Sequence, residues 1–168
     1  MAIRLLSAKR AGDDLAAGRV SAADQSLYLN ASFLIWIIPA YLFLFPAPRT
    51  LDPEFFWTLW LVELAIVVLC CSVGIGYCLR NCRVDPARNF LVDFSCLNAP
   101  VSLTTLAVVW GAYYALEVAL RVAGVDSPRL YDVVRMLASV AAVGVVFLRI
   151  ARHMGRVSLL RKPSASHE

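Results

Sequence analysis

Four long apolar stretches separate the charged parts of this chain, and they decide which solvent it folds in. Leu27–Phe45 is almost free of charge. Phe55–Leu79 contains one charge, Glu63. Leu97–Ala123 contains Glu117 and Arg121 near its end, and Tyr131–Ile150 contains Asp132, Arg135 and Arg149 near its ends. A bilayer core about 30 Å thick needs about 20 apolar residues as helix, and each stretch reaches that length or falls within a residue of it. Hydrocarbon offers the backbone no hydrogen-bond partner, so each stretch is expected to be helical. The short alternating segments of a transmembrane β-barrel are not visible.

Composition agrees. The 168 residues are 60% hydrophobic and 17% charged, with mean hydropathy +0.69. A soluble domain is nearer 45–50% apolar and roughly 25% charged. The opening Met1–Arg10 is charged and lacks the continuous apolar run of a signal peptide. The expected fold is therefore all-α: an up-down four-helix transmembrane bundle with spans at about 27–45, 55–79, 97–123 and 131–150. A cytoplasmic lead (1–26), a cytoplasmic loop (80–96) and a basic tail (151–168) complete it.

Orientation follows from Lys and Arg. The N-terminal lead, the 80–96 loop and the C-terminal end hold twelve of the sixteen; Arg49, Arg121, Arg129 and Arg135 are the other four. The bias predicts that both termini are cytoplasmic. The net charge of +4 belongs to this asymmetry, since the basic residues flank apolar spans, and nucleic-acid binding is not expected. Arg outnumbers Lys and Ala, Leu and Val abound, which fits a bacterial inner membrane.

Local signals refine the plan. Residues 2–18 read either as a helix on the membrane surface or as a mobile basic tail. Ser21-Ala-Ala-Asp24 has the form of a capping box with Asp in place of Glu, so the first helix is expected to start near Ala22. Pro39 inside it predicts a kink. Pro46-Ala-Pro48 ends it, and Pro53 suits the first turn of the second helix, so these two helices are expected to be antiparallel neighbours. Both outer connections are short, leaving little room for an outer domain. Small residues four apart, Cys70/Gly74 and Ser72/Gly76, predict close helix packing, as do Ala138, Ala142 and Gly144. Across Arg88–Leu97, Phe90, Leu91, Phe94 and Leu97 follow helical spacing, while Asp85, Asn89 and Asp93 mark another face. This predicts a short amphipathic helix at the cytoplasmic interface, with Asn98 capping the third span and Pro100 in its first turn. Arg88, Phe90, Asp93 and Phe94 are its candidate partner-binding residues; a stiff connector is the alternative.

Chemistry is sparse. Five cysteines invite comparison with membrane enzymes that exchange disulfides with quinone. Cys78, Cys82 and Cys96, however, fall on the predicted reducing face, and Cys78-x-x-x-Cys82 is not a CxxC pair. The only histidines, His153 and His167, lie outside the spans, so a haem held by two histidines within the bundle is excluded and a His-based metal centre is not expected. No cofactor is called for. One set of charges sits at matched depth in the outer third: Glu63, Glu117, Arg121 and Arg135. Ionisable groups in the membrane face the bundle interior and pair. The cluster reads as a salt-bridge network fixing helix register or, more sharply, as a proton or cation site. The leading expectation is a non-enzymatic membrane subunit that binds a membrane-protein partner, or a second copy, in the bilayer or through the loop. A small oligomeric transporter or channel using Glu63 and Glu117 is the rival, and a membrane thiol oxidoreductase a weaker third.

Overall fold

The computed structural model describes residues 7–44, 53–82, 86–125 and 127–161, with side chains over 7–36, 54–82, 89–125 and 127–161. Five helices and no strand occur among them: α1 (Ala8–Ala16), α2 (Ala22–Leu44), α3 (Pro53–Asn81), α4 (Pro86–Val122) and α5 (Pro128–Leu160). The boundaries have local causes. Ser7 accepts the Arg10 N–H at 3.4 Å to open α1. Gly18, at φ 65°, closes it: its N–H donates to Leu15 and the Arg19 N–H to Asp14, a left-handed cap that glycine adopts without strain. The predicted capping box opens α2. Asp24 accepts from the Ser21 hydroxyl (2.7 Å) and N–H (3.2 Å), and donates its own N–H to the Ser21 oxygen (3.2 Å). These bonds, the hydroxyl's first, hold the Asp24 carboxyl below its ordinary value. Each of α3, α4 and α5 begins on a proline, whose missing N–H is harmless in a first turn.

Three helices, Glu54–Asn81, Asn89–Val122 and Pro128–Leu160, are long and apolar enough to cross a membrane. The first apolar stretch, Leu27–Phe45, falls largely on α2, whose side chains from residue 37 onward lie outside the described residues, as do Phe45 and Pro46–Pro48.

Side-chain contacts fix relative directions. Phe55 meets Arg129, Glu63 meets Arg135, Gly74 approaches Phe147 and Asn81 approaches Gly155, so each α5 partner lies 72–74 positions beyond its α3 residue. Helices α3 and α5 are therefore parallel and in register along their length. Between α4 and α5, Arg121 lies over Tyr131, Thr105 meets Arg149 and Asp93 meets Arg161, the rising and falling numbers of an antiparallel pair. Helix α3 packs chiefly on α5, α5 on α4, and α4 on α2.

This arrangement corrects several expectations. Among the described residues α2 packs on α4 and makes no contact with α3, so the expected pairing of the first two long helices is not seen there. Residues 86–96 of the segment expected to be a loop with a separate interfacial helix are the beginning of α4, which runs 37 residues from Pro86 to Val122, with Pro100 inside it. Asn98 does not cap a helix start; inside α4 its carbonyl accepts the Ser102 hydroxyl at 3.0 Å. Pro100 costs α4 one backbone bond, yet no glycine between Pro86 and Pro100 invites a break there. Residues 8–16 are helical rather than a mobile tail. They form α1, which packs on both α4 and α5 and buries Ala8, Ala11 and Leu15.

The densest packing sits at the α1 end. Leu97, Val101, Cys78, Cys96, Val146, Ile150 and Val157 are fully buried there, joined by Met154. Gly12 lets α1 approach the Val157 side chain, and Gly74 lets the α3 backbone rest on the Phe147 ring. The long helices are otherwise open: only 6% of the most apolar stretch of α3 is buried.

Candidate functional site: charges at the two ends of the helix layer

Aromatic rings mark where an apolar slab would begin and end. At the Glu63 end Phe56, Trp57 and Trp60 make edge-to-face contacts with centroids 5.7 and 5.9 Å apart. Amphipathic rings favour the membrane–water boundary. From Trp57 to Tyr77 is about 30 Å of helix, the thickness of bilayer hydrocarbon. The α3–α5 register puts Tyr77 level with Ile150, and the Arg149–Thr104 contact puts the same level near Thr104 on α4. A slab bounded at those rings would leave the beginning of α4 and the last turns of α5 at its Tyr77 edge and beyond. Helix α1 is packed against this extension.

Within the slab, the four predicted charges form two pairs. Glu63 meets Arg135 across the α3–α5 contact at 3.4 Å, both side chains little exposed (13% and 14%). Glu117, buried, accepts from Arg121 one turn along α4 at 2.7 Å. The Arg121 guanidinium also lies 5.3 Å from the centre of the Tyr131 ring, tying this pair to α5. Of the two arginines considered for Glu63, the structure selects Arg135.

Past the slab lies a second set that spacing alone did not reveal. Arg161 donates to both oxygens of Asp93, at 2.9 and 3.1 Å, with the Asp93 side chain only 4% exposed. Arg156 reaches Asp13 of α1 at 3.1 Å. Arg19 grips Asp14 at 2.7 Å from just beyond α1. Phe90 stacks on Phe94 (5.6 Å), and Phe94 on Phe147 (6.2 Å). Of the four candidate partner-binding residues, then, Asp93 is buried and ion-paired, Phe90 and Phe94 are half-buried in a ring stack, and the Arg88 side chain lies outside the described residues. The opposite face of the same turns carries Leu91, 72% exposed. At that level α5 exposes Leu159 (77%) and Leu160 (51%). A shallow groove runs beside them, lined by Leu15, Ala16, Gly18, Asn89, Leu160 and Arg161. The signal for the Asp93–Arg161 pair was present as two unlike charges at opposite ends of the sequence. Only the antiparallel α4–α5 register joins them.

Cys78, Cys82 and Cys96 are free thiols, each buried. Among the described residues no group of three or more His, Cys, Asp or Glu is placed to hold a metal ion. Comparison with family models, with curated proteins and with solved structures finds no match.

Proposed function

We propose that the protein is a non-enzymatic membrane subunit that docks a partner protein on its α1 end, facing the cytoplasm of a bacterial inner membrane. The observation that carries this reading is the exposure of Leu91, Leu159 and Leu160 on helices that have already left the apolar slab. Inside the slab, exposed leucines face lipid and need no other cause. Beyond it they face water, and clustered apolar side chains there mark a contact surface. The surface is also firm: beneath it lie the Asp93–Arg161 pair and the phenylalanine stack, and the exposed Asp13–Arg156 pair ties α1 to α5 beside it. The basic residues at this end support the cytoplasmic orientation.

Two observations weigh against the rival readings. Glu63 has its own guanidinium across a helix contact, which suits a register pin better than a transport path. The Cys78 and Cys96 side chains have no exposed surface, which suits small apolar fillers better than exchanging thiols. The test is a photo-crosslinking residue at Leu91, in the native membrane, compared with the Leu91→Glu/Leu159→Glu double variant. A discrete crosslinked protein that the double variant no longer retains, while still inserted, is the expected result. An unchanged set of co-purifying proteins from the inserted double variant would remove the docking role.

A further inference from the structure

The arginines of this protein are not all balanced in the same way. Arg19, Arg121, Arg135, Arg156 and Arg161 each meet a carboxylate. Arg149 does not. Its Nη1 donates to two neutral hydroxyls of α4, Thr105 at 2.7 Å and Thr104 at 3.2 Å, and no carboxylate among the described residues lies in salt-bridge range of it. Thr105 is itself 2% exposed, so it holds the guanidinium without offering a compensating charge. Thr104 spends its own hydroxyl proton on the carbonyls of Pro100 and Val101, at 2.9 and 3.2 Å, so its oxygen is turned to Arg149 as an acceptor.

The surroundings accumulate positive charge on one face. Arg149, Arg152, His153 and Arg156 occupy positions i, i+3, i+4 and i+7 of α5. Arg149, Arg156 and Asp13 lie within electrostatic reach of His153, and Asp13 is already engaged by Arg156. Arg152 is exposed. One turn deeper into the slab, the same region presents apolar side chains to the outside: Val145 and Leu148 on α5 (40% and 50% exposed) and Val108 on α4 (71%). A cation with no carboxylate sits at the slab boundary, with exposed hydrocarbon below it and exposed basic groups above.

We propose that Arg149 and Arg152, with Thr104 and Thr105 as the cradle, bind the phosphodiester of an anionic phospholipid whose chains lie along Val145, Leu148 and Val108. A guanidinium is suited to this work. Its planar fork donates to two phosphate oxygens at once, and Nε and Nη2 of Arg149 are not used by the threonines. A charge at the edge of hydrocarbon is costly until it meets a counter-charge, and the lipid supplies one at this depth. The threonines hold the guanidinium in place before the lipid arrives, so less side-chain freedom is lost on binding.

The probe is the purified full-length chain in vesicles of equimolar phosphatidylcholine and phosphatidylglycerol, extracted gently and weighed intact to count retained lipids. The wild type is expected to retain phosphatidylglycerol over phosphatidylcholine. Arg149→Gln should weaken that preference about tenfold, the scale of one charge-assisted contact. Arg149→Lys keeps the charge and loses the fork, so it should fall between the two. Thermal unfolding of both variants checks that they are folded. The comparison of the two lipids on the wild type needs no variant, and equal retention there overturns the proposal. So does an undiminished preference in folded Arg149→Gln. A separate arm adds inorganic phosphate to the chain in phosphatidylcholine alone. Arg149-dependent phosphate binding without any preference for phosphatidylglycerol would assign the cradle to a free anion and sink the lipid reading.

Discussion

Adding one methyl group at Gly74 should damage this fold more than its size suggests. A Cβ there would lie 2.4 Å from Cγ of Phe147 and 2.7 Å from both Cδ atoms. Ordinary carbon contacts lie at about 3.5–4.0 Å, so α3 and α5 would have to part by roughly 1 Å, or the ring would have to turn. The ring has nowhere to go: Phe147 is 8% exposed and stacks on Phe94 at 6.2 Å. Further along the same two helices the 3.4 Å Glu63–Arg135 contact opposes relief by sliding. Overpacking of this kind costs about 1–3 kcal/mol. For a chain of this length that corresponds to a melting temperature lower by roughly 2–4 °C per kcal/mol. Gly74→Ala should therefore melt several degrees below the wild type in one fixed detergent, followed by circular dichroism. Gly76→Ala, where an added Cβ meets nothing within 4 Å, should not. Combining Gly74→Ala with Phe147→Leu should recover part of the loss, because the two sites share one contact. Equal melting of Gly74→Ala and wild type would falsify the close α3–α5 approach.

Two further perturbations follow from the ion pairs. Glu63→Gln and Arg135→Gln should each lower thermal stability, while the double variant loses less than their sum, a coupling of about 1 kcal/mol; additive losses would mean that the pair does not form. The same Glu63→Gln chain in liposomes should match the wild type in proton flux, and a Glu63-dependent flux would promote the transport reading. Asp93→Asn leaves Arg161 without its buried carboxylate and should cost about 2 kcal/mol, the scale of hydrogen bonds to a charged group. Unfolding curves for Asp93→Asn, Arg161→Gln and the double variant test this, and a neutral Asp93→Asn would contradict the bidentate geometry.

Features set by near neighbours in the chain could be read from the sequence. The apolar runs marked α3, α4 and α5, Ser21 and Asp24 marked the start of α2, and Pro53 marked the start of α3. Each signal spans a few residues or one uninterrupted solvent preference. The charge pairs were half legible: depth placed Glu63 near Arg121 and Arg135, but only the α3–α5 register could choose Arg135. The start of α4 was misread because Asn98 and Pro100 carry the local marks of a helix beginning. The amphipathic pattern up to Leu97 was real, and its buried side faces α5 and its own ring stack. Its phenylalanines are spent on Phe147, and the residue left outward is Leu91. The docking of α1 was invisible for a different reason. Its buried face is Ala8, Ala11, Gly12, Asp14 and Leu15, three of them small and one charged, so that it does not stand out as an apolar stripe. Smallness lets the helix lie close to α5.

That docking ties together two helices far apart in the chain. Gly12 meets Val157 and Asp13 meets Arg156, the latter pair 143 positions apart. During synthesis α1 is made well before the residues it rests on, since Arg156 follows Asp13 by 143 positions. Loop closure over such a separation is slow compared with helix formation. Helix α1 can therefore settle only on a chain whose final helix has arrived with the correct direction. An inverted or unfinished α5 would leave Ala8, Ala11 and Leu15 exposed and Asp13 without its arginine. The seating of α1 therefore depends on where α5 lies.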